Sequence, residues 1–377
     1  MAEDNKGKKS KYYELMEQLK RQILNGDYKE GEKIPSENQL SAQYHVSRQT
    51  VRKALEILEN AGYVYAEHGR GTFCSKLVHN TKKSHNIAVV MTYLSDYIFP
   101  RIIKGIDEVL TEKEYSIILK NTRNSRANEA KCLEELLQKQ IDGIIIEPSK
   151  SQIFCRHMNL YKQLDEYKIP YVFIQGAFMQ MKGKPEVLLD DVKGGYLITD
   201  YLIKLGHRQI VGVFKADDIQ GQNRHHGYVK ALQDSGIMYE PENVIWFYTE
   251  DRTVHPYECV KQMVEAGRQI DAIVCYNDMI AVEVIQALNK CGKQVPEDIS
   301  VTGYDNSYMA QASSYSLTTI AHPQEDLGRM AAELMIRLIE TPEQVKDQQI
   351  LIEPKLIKGT SCARKMPVLS TVGENLE

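Results

Sequence analysis

The chain has 377 residues, 42% of them hydrophobic and 26% charged, with a formal net charge of -4; this is an ordinary globular composition with room for two or three domains. No run of 18 apolar residues is present, which excludes a membrane-spanning helix, and the opening MAEDNKGKKSKYY lacks the apolar segment of a secretory signal, so a cytoplasmic location is expected. The 7 cysteines are scattered without close pairing, which fits a reducing compartment better than a disulfide framework or a zinc site.

The charge is unevenly placed. Residues 1–85 hold 15 Lys and Arg against 11 Asp and Glu, and the rest of the chain 32 against 40, so only the head is suited to a polyanion. Tyr12 to Leu24 reads as a first helix with Leu15, Leu19 and Ile23 on one face, and Gly26 and Gly31 interrupt the chain after it. In KIPSENQLSAQYHVS, Ser36 and Gln39 have the spacing of a capping box and start a second helix. His45–Val46–Ser47 form a tight turn, and Ser47 caps a third helix. Val51, Ala54, Leu55 and Leu58 make its buried stripe, while Arg48 and Arg52, with Gln49 and Thr50 near them, occupy its other side and its N-terminal end. The second helix of a helix-turn-helix enters the major groove N-terminus first, where such side chains reach base edges or phosphates. Tyr63 and Tyr65 then alternate, Gly69 and Gly71 permit a sharp turn with Arg70 at its tip, and Phe73 resumes the apolar pattern. This predicts a two-stranded wing whose His68 and Arg70 suit a minor groove. A solvated helix face and an accessory hairpin of an enzyme are the competing readings.

The order of Gly31, Lys33 through Glu37, Leu40, Tyr44, Val46 through Arg48, Thr50 through Arg52, Ala54, Leu55, Leu58, Gly62 and Gly69 through Phe73 resembles the winged-helix head of GntR-type bacterial regulators. The resemblance implies operator contacts at Arg48, Thr50, Arg52, His68 and Gly69. The candidate DNA-binding set adds Lys33, Ser36, Glu37, Ser47, Gln49 and Arg70 from the same motif and wing.

SKLVHNTKKSH, residues 75–85, is polar, basic and aperiodic, and reads as a linker. After it, NIAVVM, SIILK, IDGIIIE and IPYVFIQ are short apolar runs suited to buried parallel strands, separated by helical patterns such as PRIIKGIDEVLTEKEY. The same alternation returns in RQIVGVF, VIWFY, IDAIVCY and DISVTGYD, with IDGII at Ile141 and IDAIV at Ile270 at matching places. The expected fold is α/β: two Rossmann-like lobes with a cleft between them, where ligands bind at the carboxyl ends of the strands. Standing just after strands are Tyr93, Asp96, Tyr97 and Phe99, then Glu147, Gln175, Asn277, Asp278 and Asp305, with Arg224 at a helix start. Carboxylates, an arginine, amides and aromatic faces together suit a neutral polyol. Asp278 by itself also reads as a helix cap, and Asp191 and Lys193 read as a turn before the helix GGYLITDYLIKLG. No nucleophile elbow, zinc-helix or dinucleotide motif is present, so neither enzyme activity nor a cofactor nor a metal is expected. The pair His225–His226 reads as surface or hinge packing.

The pieces Val192–Gly195, Leu205–Arg208, Asn223–Tyr228, Tyr276–Asp278, Val295–Val301, Gly303–Asp305 and Leu317–Ile320 resemble the sensor domain of LacI-type repressors and periplasmic sugar-binding proteins. That resemblance implies a type I periplasmic-binding-protein-like fold, a sugar or purine bound at Arg224, Asn277 and Asp305, and a crossing segment after Leu317–Ile320. LacI-type repressors carry a different helix-turn-helix and a hinge helix, which this chain replaces with a wing and a polar linker. A GntR-type head on a LacI-type sensor resembles the arabinose-responsive repressors of Gram-positive bacteria. It implies a homodimer on double-stranded, palindromic operator DNA, without membrane contact, released by L-arabinose; another sugar or a purine is the alternative effector. The expected division is a winged-helix domain at 1–74, a linker at 75–85, a two-lobed effector-binding and dimerisation domain at 86–362, and a tail at 363–377.

Overall fold

The computed structural model describes residues 11–24, 26–60, 62–75, 84–94, 97–308, 316–345 and 347–365. Most of the expected linker, Asp96 and residues 366–377 lie outside the described residues. The chain forms two compact units, one of residues 1–84 with 161–169 and one of residues 85–160 with 170–377.

The head consists of α1 (Lys11–Leu24), α2 (Glu37–Gln43), α3 (Arg48–Asn60), β1 (Val64–Glu67) and β2 (Gly71–Cys74). Its core is the set the helical periodicity selects, with Leu15, Leu19 and Ile23 of α1 against Val51, Ala54, Leu55 and Leu58 of α3. The capping box is present: Ser36 N–H donates to Gln39 Oε1 at 2.8 Å, and Gln39 N–H donates back to Ser36 Oγ at 3.4 Å. His45 turns the chain between α2 and α3 with φ 51°, and Ser41 Oγ donates to the Val46 carbonyl at 2.6 Å to hold that turn. β1 and β2 pair antiparallel, with Tyr65 opposite Phe73. The hairpin is not limited to two strands, since Ile34 N–H donates to the Thr72 carbonyl and Cys74 N–H to the Glu32 carbonyl, a third edge that ties the wing to the segment before α2.

The second unit contains both lobes. In chain order it runs β3 (Asn86–Met91), α4 (Phe99–Glu112), β4 (Ser116–Asn121), α5 (Arg126–Leu136), β5 (Gly143–Ile146), the start of α6 (Met158–Glu166), whose residues from Tyr161 on fall in the first unit, β6 (Tyr171–Ile174), β7 (Glu186–Leu189), α7 (Asp191–Lys204), β8 (Ile210–Lys215), α8 (Ile219–Asp234), β9 (Val244–Phe247), α9 (His255–Glu265), β10 (Ala272–Cys275), α10 (Asp278–Lys290), β11 (Ser300–Thr302), β12 (Thr319–Ala321), α11 (Gln324–Glu340), β13 (Gln349–Ile352) and β14 (Lys355–Ile357). The N-lobe sheet has the order β13-β7-β6-β5-β3-β4 and the C-lobe sheet β11-β10-β8-β9. Every pairing within them is parallel; the inner strands β3, β5, β6, β8 and β10 are buried on both faces, as continuous Val/Ile runs require, while the edge strands β4 and β13 keep one face partly exposed. The chain crosses between lobes after β7, between β11 and α11, and between β13 and β14. The crossing expected after Leu317–Ile320 is thus the middle one.

Glycines set the two closest helix crossings. A Cβ on Gly195 of α7 would sit 2.2 Å from the Arg224 carbonyl of α8, and one on Gly227 of α8 would sit 2.1 Å from the Val192 carbonyl of α7. Gly105 of α4 and Gly328 of α11 play the same part in the N-lobe, at 2.0 Å from the Glu325 carbonyl and 2.1 Å from the Ile102 carbonyl. Residues 363–365, assigned to the tail by sequence, are tied to the C-lobe: Ala363 N–H donates to Ser300 Oγ, Lys365 N–H to the Leu205 carbonyl, and the Lys365 amine pairs with Asp271.

Candidate functional sites

On the head, Ser47 Oγ accepts the Thr50 N–H at 3.2 Å and hydrogen-bonds Thr50 Oγ1 at 2.8 Å. That cap starts α3 and leaves Arg48, Gln49 and Arg52 exposed along its first turns. Arg52 is not free: its Nε and Nη2 donate to the two oxygens of Glu37 at 3.2 and 3.1 Å. A guanidinium held in this forked way is oriented before it meets anything else. Ser36, Ser47 and Thr50 engage their hydroxyls in these local contacts. At the wing, Gly69 has φ 75°, His68 is exposed, and Arg70 pairs with Glu67 while its guanidinium lies 5.8 Å from the Phe73 ring. Lys33 bridges to Phe73, and its stem crosses Gly71, where a Cβ would meet Lys33 Cε at 2.5 Å.

In the second unit the loops after the strands enclose a cavity of about 750 Å³, open mouth included. Tyr93, Tyr97, Phe99, Glu147, Gln175, Arg224, Asn277 and Asp305 all line it, so eight of the nine described residues singled out by sequence converge from separate elements. Asp278 does not. Its side chain is buried, accepting the Ser307 N–H at 2.7 Å and the Thr319 hydroxyl at 2.7 Å. It braces the middle crossing rather than facing the cavity. Arg224 also differs from expectation, because α8 starts at Ile219 and places it more than a turn inside the helix. Asp191 is not in a turn either. Asp190 caps α7, and Asp191 accepts from Arg224 Nε at 2.8 Å.

Arg224 is the electrostatic centre. Its Nη1 donates to the Tyr276 carbonyl at 2.7 Å, its Nη2 lies 3.6 Å from Asp305 Oδ1, and its guanidinium stacks 3.6 Å from the Tyr304 ring centroid. Burial opposes its charge, but the carboxylates of Asp191 and Asp305 raise its pKa well above the usual value, so it stays a cation. Tyr97 donates to Asp305 Oδ2 at 2.7 Å, a bond from an N-lobe loop to the middle crossing. Asp305 Oδ1 is buried without a hydrogen-bond partner, as are Tyr93 Oη and Gln220 Oε1, all three from residues lining the cavity. Glu147 accepts Thr92 N–H at 3.0 Å and Thr92 Oγ1–H at 2.5 Å, and burial nevertheless raises its pKa to about 7. Gln175 is fixed by His322, whose Nε2 lies 2.7 Å from Gln175 Oε1. Burial lowers the His322 pKa to about 4, so the neutral ring donates that bond.

The cavity residues absent from the sequence reading include Lys215 and Asp218, joined at 2.5 Å, and Arg252, which lies over the Tyr93 ring at 5.3 Å. Lys215 is matched by Asp218 and Arg224 by Asp191. Such pairing leaves the walls suited to a neutral ligand rich in hydroxyls, with aromatic faces from Phe99 and Tyr93 beside it. Among the described residues, no group of three His, Cys, Asp or Glu could hold a metal ion, and no helix is long and apolar enough to cross a membrane.

Family models match both parts: bacterial regulatory proteins of the gntR family over residues 11–74, and the periplasmic binding protein-like domain over residues 199–362. An arabinose metabolism transcriptional repressor of Halalkalibacterium halodurans is 40% identical, covering 94% of this chain and 97% of its own. The chain belongs to this family of transcriptional repressors. The arabinose metabolism transcriptional repressor of Geobacillus stearothermophilus is 38% identical over 93% of the chain and 97% of its own length. A LacI family transcriptional regulator from Enterococcus faecium, solved with bound ribose, superposes with a TM-score of 0.64 at 25% identity, over 74% of this chain and 100% of that one. The repressor therefore joins a GntR-type DNA-binding head to a sensor of the LacI and periplasmic-binding kind. Its missed cavity residue Lys215 had a faint signal in sequence. It is a lysine closing an apolar strand, followed after Ala216 by Asp217 and Asp218.

Proposed function

We propose that the repressor binds a palindromic operator as a homodimer in the cytoplasm and that L-arabinose in the cleft releases it. In this reading residues 1–74 bind the operator and 75–85 link. Residues 86–362 bind the effector and dimerise, and 363–377 form the tail. Arg48, Gln49, Thr50 and Arg52 read the major groove, held by Ser36, Ser47 and Glu37, while Lys33, His68, Gly69 and Arg70 approach from the wing. Tyr97, Phe99, Glu147, Gln175, Arg224, Asn277 and Asp305 hold the sugar. The observation that carries the effector class is the set of buried polar atoms at the cavity that lack a hydrogen-bond partner, Asp305 Oδ1, Gln220 Oε1 and Tyr93 Oη, because a buried polar group without a hydrogen bond is costly until a ligand hydroxyl supplies one. The pentose itself rests on the relatives named for arabinose metabolism. The test is a titration of the protein–operator complex, at one fixed salt concentration, with L-arabinose, D-xylose, D-glucose and hypoxanthine. Release by L-arabinose at the lowest concentration is the expected result. Release by hypoxanthine alone would replace the sugar with a purine.

A further inference from the structure

The two sheets end in β4 and β9 at the cleft edge remote from the crossings, and the loops near that edge touch across it. Asn124 is 2% exposed and is held with φ 52°. Its amide donates to Thr249 Oγ1 at 2.8 Å and to Asp218 Oδ1 at 3.2 Å in the C-lobe, while its carbonyl accepts the Lys150 N–H at 2.8 Å in its own lobe. Lys150 then reaches across to Asp217 Oδ2 at 3.3 Å and Glu250 Oε1 at 2.5 Å. Two backbone donors complete the seam: Gln152 N–H to the Asp217 carbonyl at 3.2 Å and Ile219 N–H to Ser151 Oγ at 3.0 Å. Neither Asn124 nor Lys150 lines the cavity, but Asp218 does, and its other oxygen holds the cavity lysine Lys215.

We propose that Asn124 and Lys150 are positioning residues, a latch that senses the cavity through Asp218 and holds the lobes closed without touching the ligand. The proposal rests on the reading of the cavity as the effector site. The shared carboxylate is the link. A ligand hydroxyl that engages Lys215 or Asp218 fixes the oxygen on which the Asn124 amide depends, so occupancy and latch closure stabilise each other. Asparagine suits the post because its amide donates twice and its carbonyl accepts, and because it tolerates the left-handed backbone. A leucine of similar size at 124 strands three polar partners at once: the buried Asp218 Oδ1 and Thr249 hydroxyl and the half-buried Lys150 N–H.

The experiment uses the full chain as parent, Asn124→Leu, Lys150→Met and Lys150→Arg. Calorimetry with L-arabinose is expected to show binding weakened roughly tenfold or more in Asn124→Leu, since leaving such groups unpaired costs about that much. Binding should weaken several-fold in Lys150→Met and stay near parental in Lys150→Arg, with operator affinity undiminished in all three. The second readout needs no sugar: hydrogen exchange at the Gln152 and Ile219 amides should be about tenfold faster in Asn124→Leu than in the parent. Should the parent fail to bind L-arabinose, the effector assignment falls and the exchange comparison still judges the latch. Equal exchange at both amides in parent and variant overturns the latch, as does parental sugar affinity in Asn124→Leu.

Discussion

Asp305→Asn removes one charge from the cleft while keeping the shape of the side chain. In the parent, Oδ2 accepts the Tyr97 hydroxyl at 2.7 Å, a bond that an asparagine carbonyl also accepts. Arg224 stands 3.6 Å from Oδ1 but keeps its closer partner Asp191 at 2.8 Å. The fold therefore retains its ties, and the loss concentrates on Oδ1, the acceptor without a hydrogen-bond partner. A hydrogen bond from a ligand hydroxyl to a charged acceptor contributes about 1.5–3 kcal/mol. Losing it weakens L-arabinose roughly ten- to 150-fold. Calorimetry on the free protein measures that loss directly, and operator release by L-arabinose measures its consequence. Reciprocity fixes the sign: if the sugar lowers operator affinity by a coupling of about 1–3 kcal/mol, operator DNA lowers sugar affinity by the same amount. The variant should bind operator as the parent does and need proportionately more sugar to leave it. Sugar binding by Asp305→Asn within twofold of the parent would refute the assignment of Oδ1, and loss of operator binding would refute the independence of head and cleft.

Arg48→Ala and Arg52→Ala should each weaken specific operator binding by about 1–3 kcal/mol with sugar affinity unchanged; gel shifts against operator and random DNA at one salt concentration separate a base contact from a phosphate contact, which would weaken both alike. Glu147→Gln should gain stability over the parent as pH rises. Burial places the folded Glu147 pKa at about 7 against an ordinary value of 4.5, so the folded parent holds a proton that the unfolded chain releases between those limits. The parent's relative stability thus falls across that window and is level above it, which urea midpoints of the two proteins at stepped pH will show. Gly195→Ala should lower the thermal midpoint and weaken sugar binding together, since its Cβ meets the Arg224 backbone and overpacking costs about 1–3 kcal/mol. The operator should be a palindrome of roughly 16–20 base pairs bound by two chains, given half-sites about one helical turn apart; light scattering of the complex gives the stoichiometry.

The strands were legible because a parallel sheet buried on both faces leaves continuous apolar runs, as in NIAVVM and IDAIVCY, and because ligands gather where such runs end. That is why Glu147, Gln175 and Asp305 could be chosen without coordinates. Asp278 shows the limit of the rule. An aspartate after a strand begins a helix as readily as it faces a cleft, and only the positions of Ser307 and Thr319 decide. Asp191 and Lys215 were illegible for the opposite reason. A buried charge is tolerated only beside its partner, and those partners, Arg224 for one and Asp218 for the other, are set by helix starts that sequence fixes poorly. β13 was missed because its place beside β7 depends on a chain return through both lobes that leaves no local pattern.

Two of the groups that line the cavity, Asp305 and Arg224, are tied directly to the crossings. Asp305 bridges to Ala321 and its carbonyl accepts the Gln324 side-chain amide at 3.1 Å, at the foot of α11. Asp191, the partner of Arg224, is the first residue of α7 after the crossing from β7. Lys193, two residues on, pairs with Glu353 between β13 and β14, so the first and third crossings are pinned together. A ligand that pulls on Asp305 or Arg224 therefore acts on the segments about which the lobes turn, with no intervening relay of side chains. Under the proposed function, a change of lobe angle acts on the operator by altering the separation of the two heads of the proposed dimer, which decides whether two half-sites can be held at once.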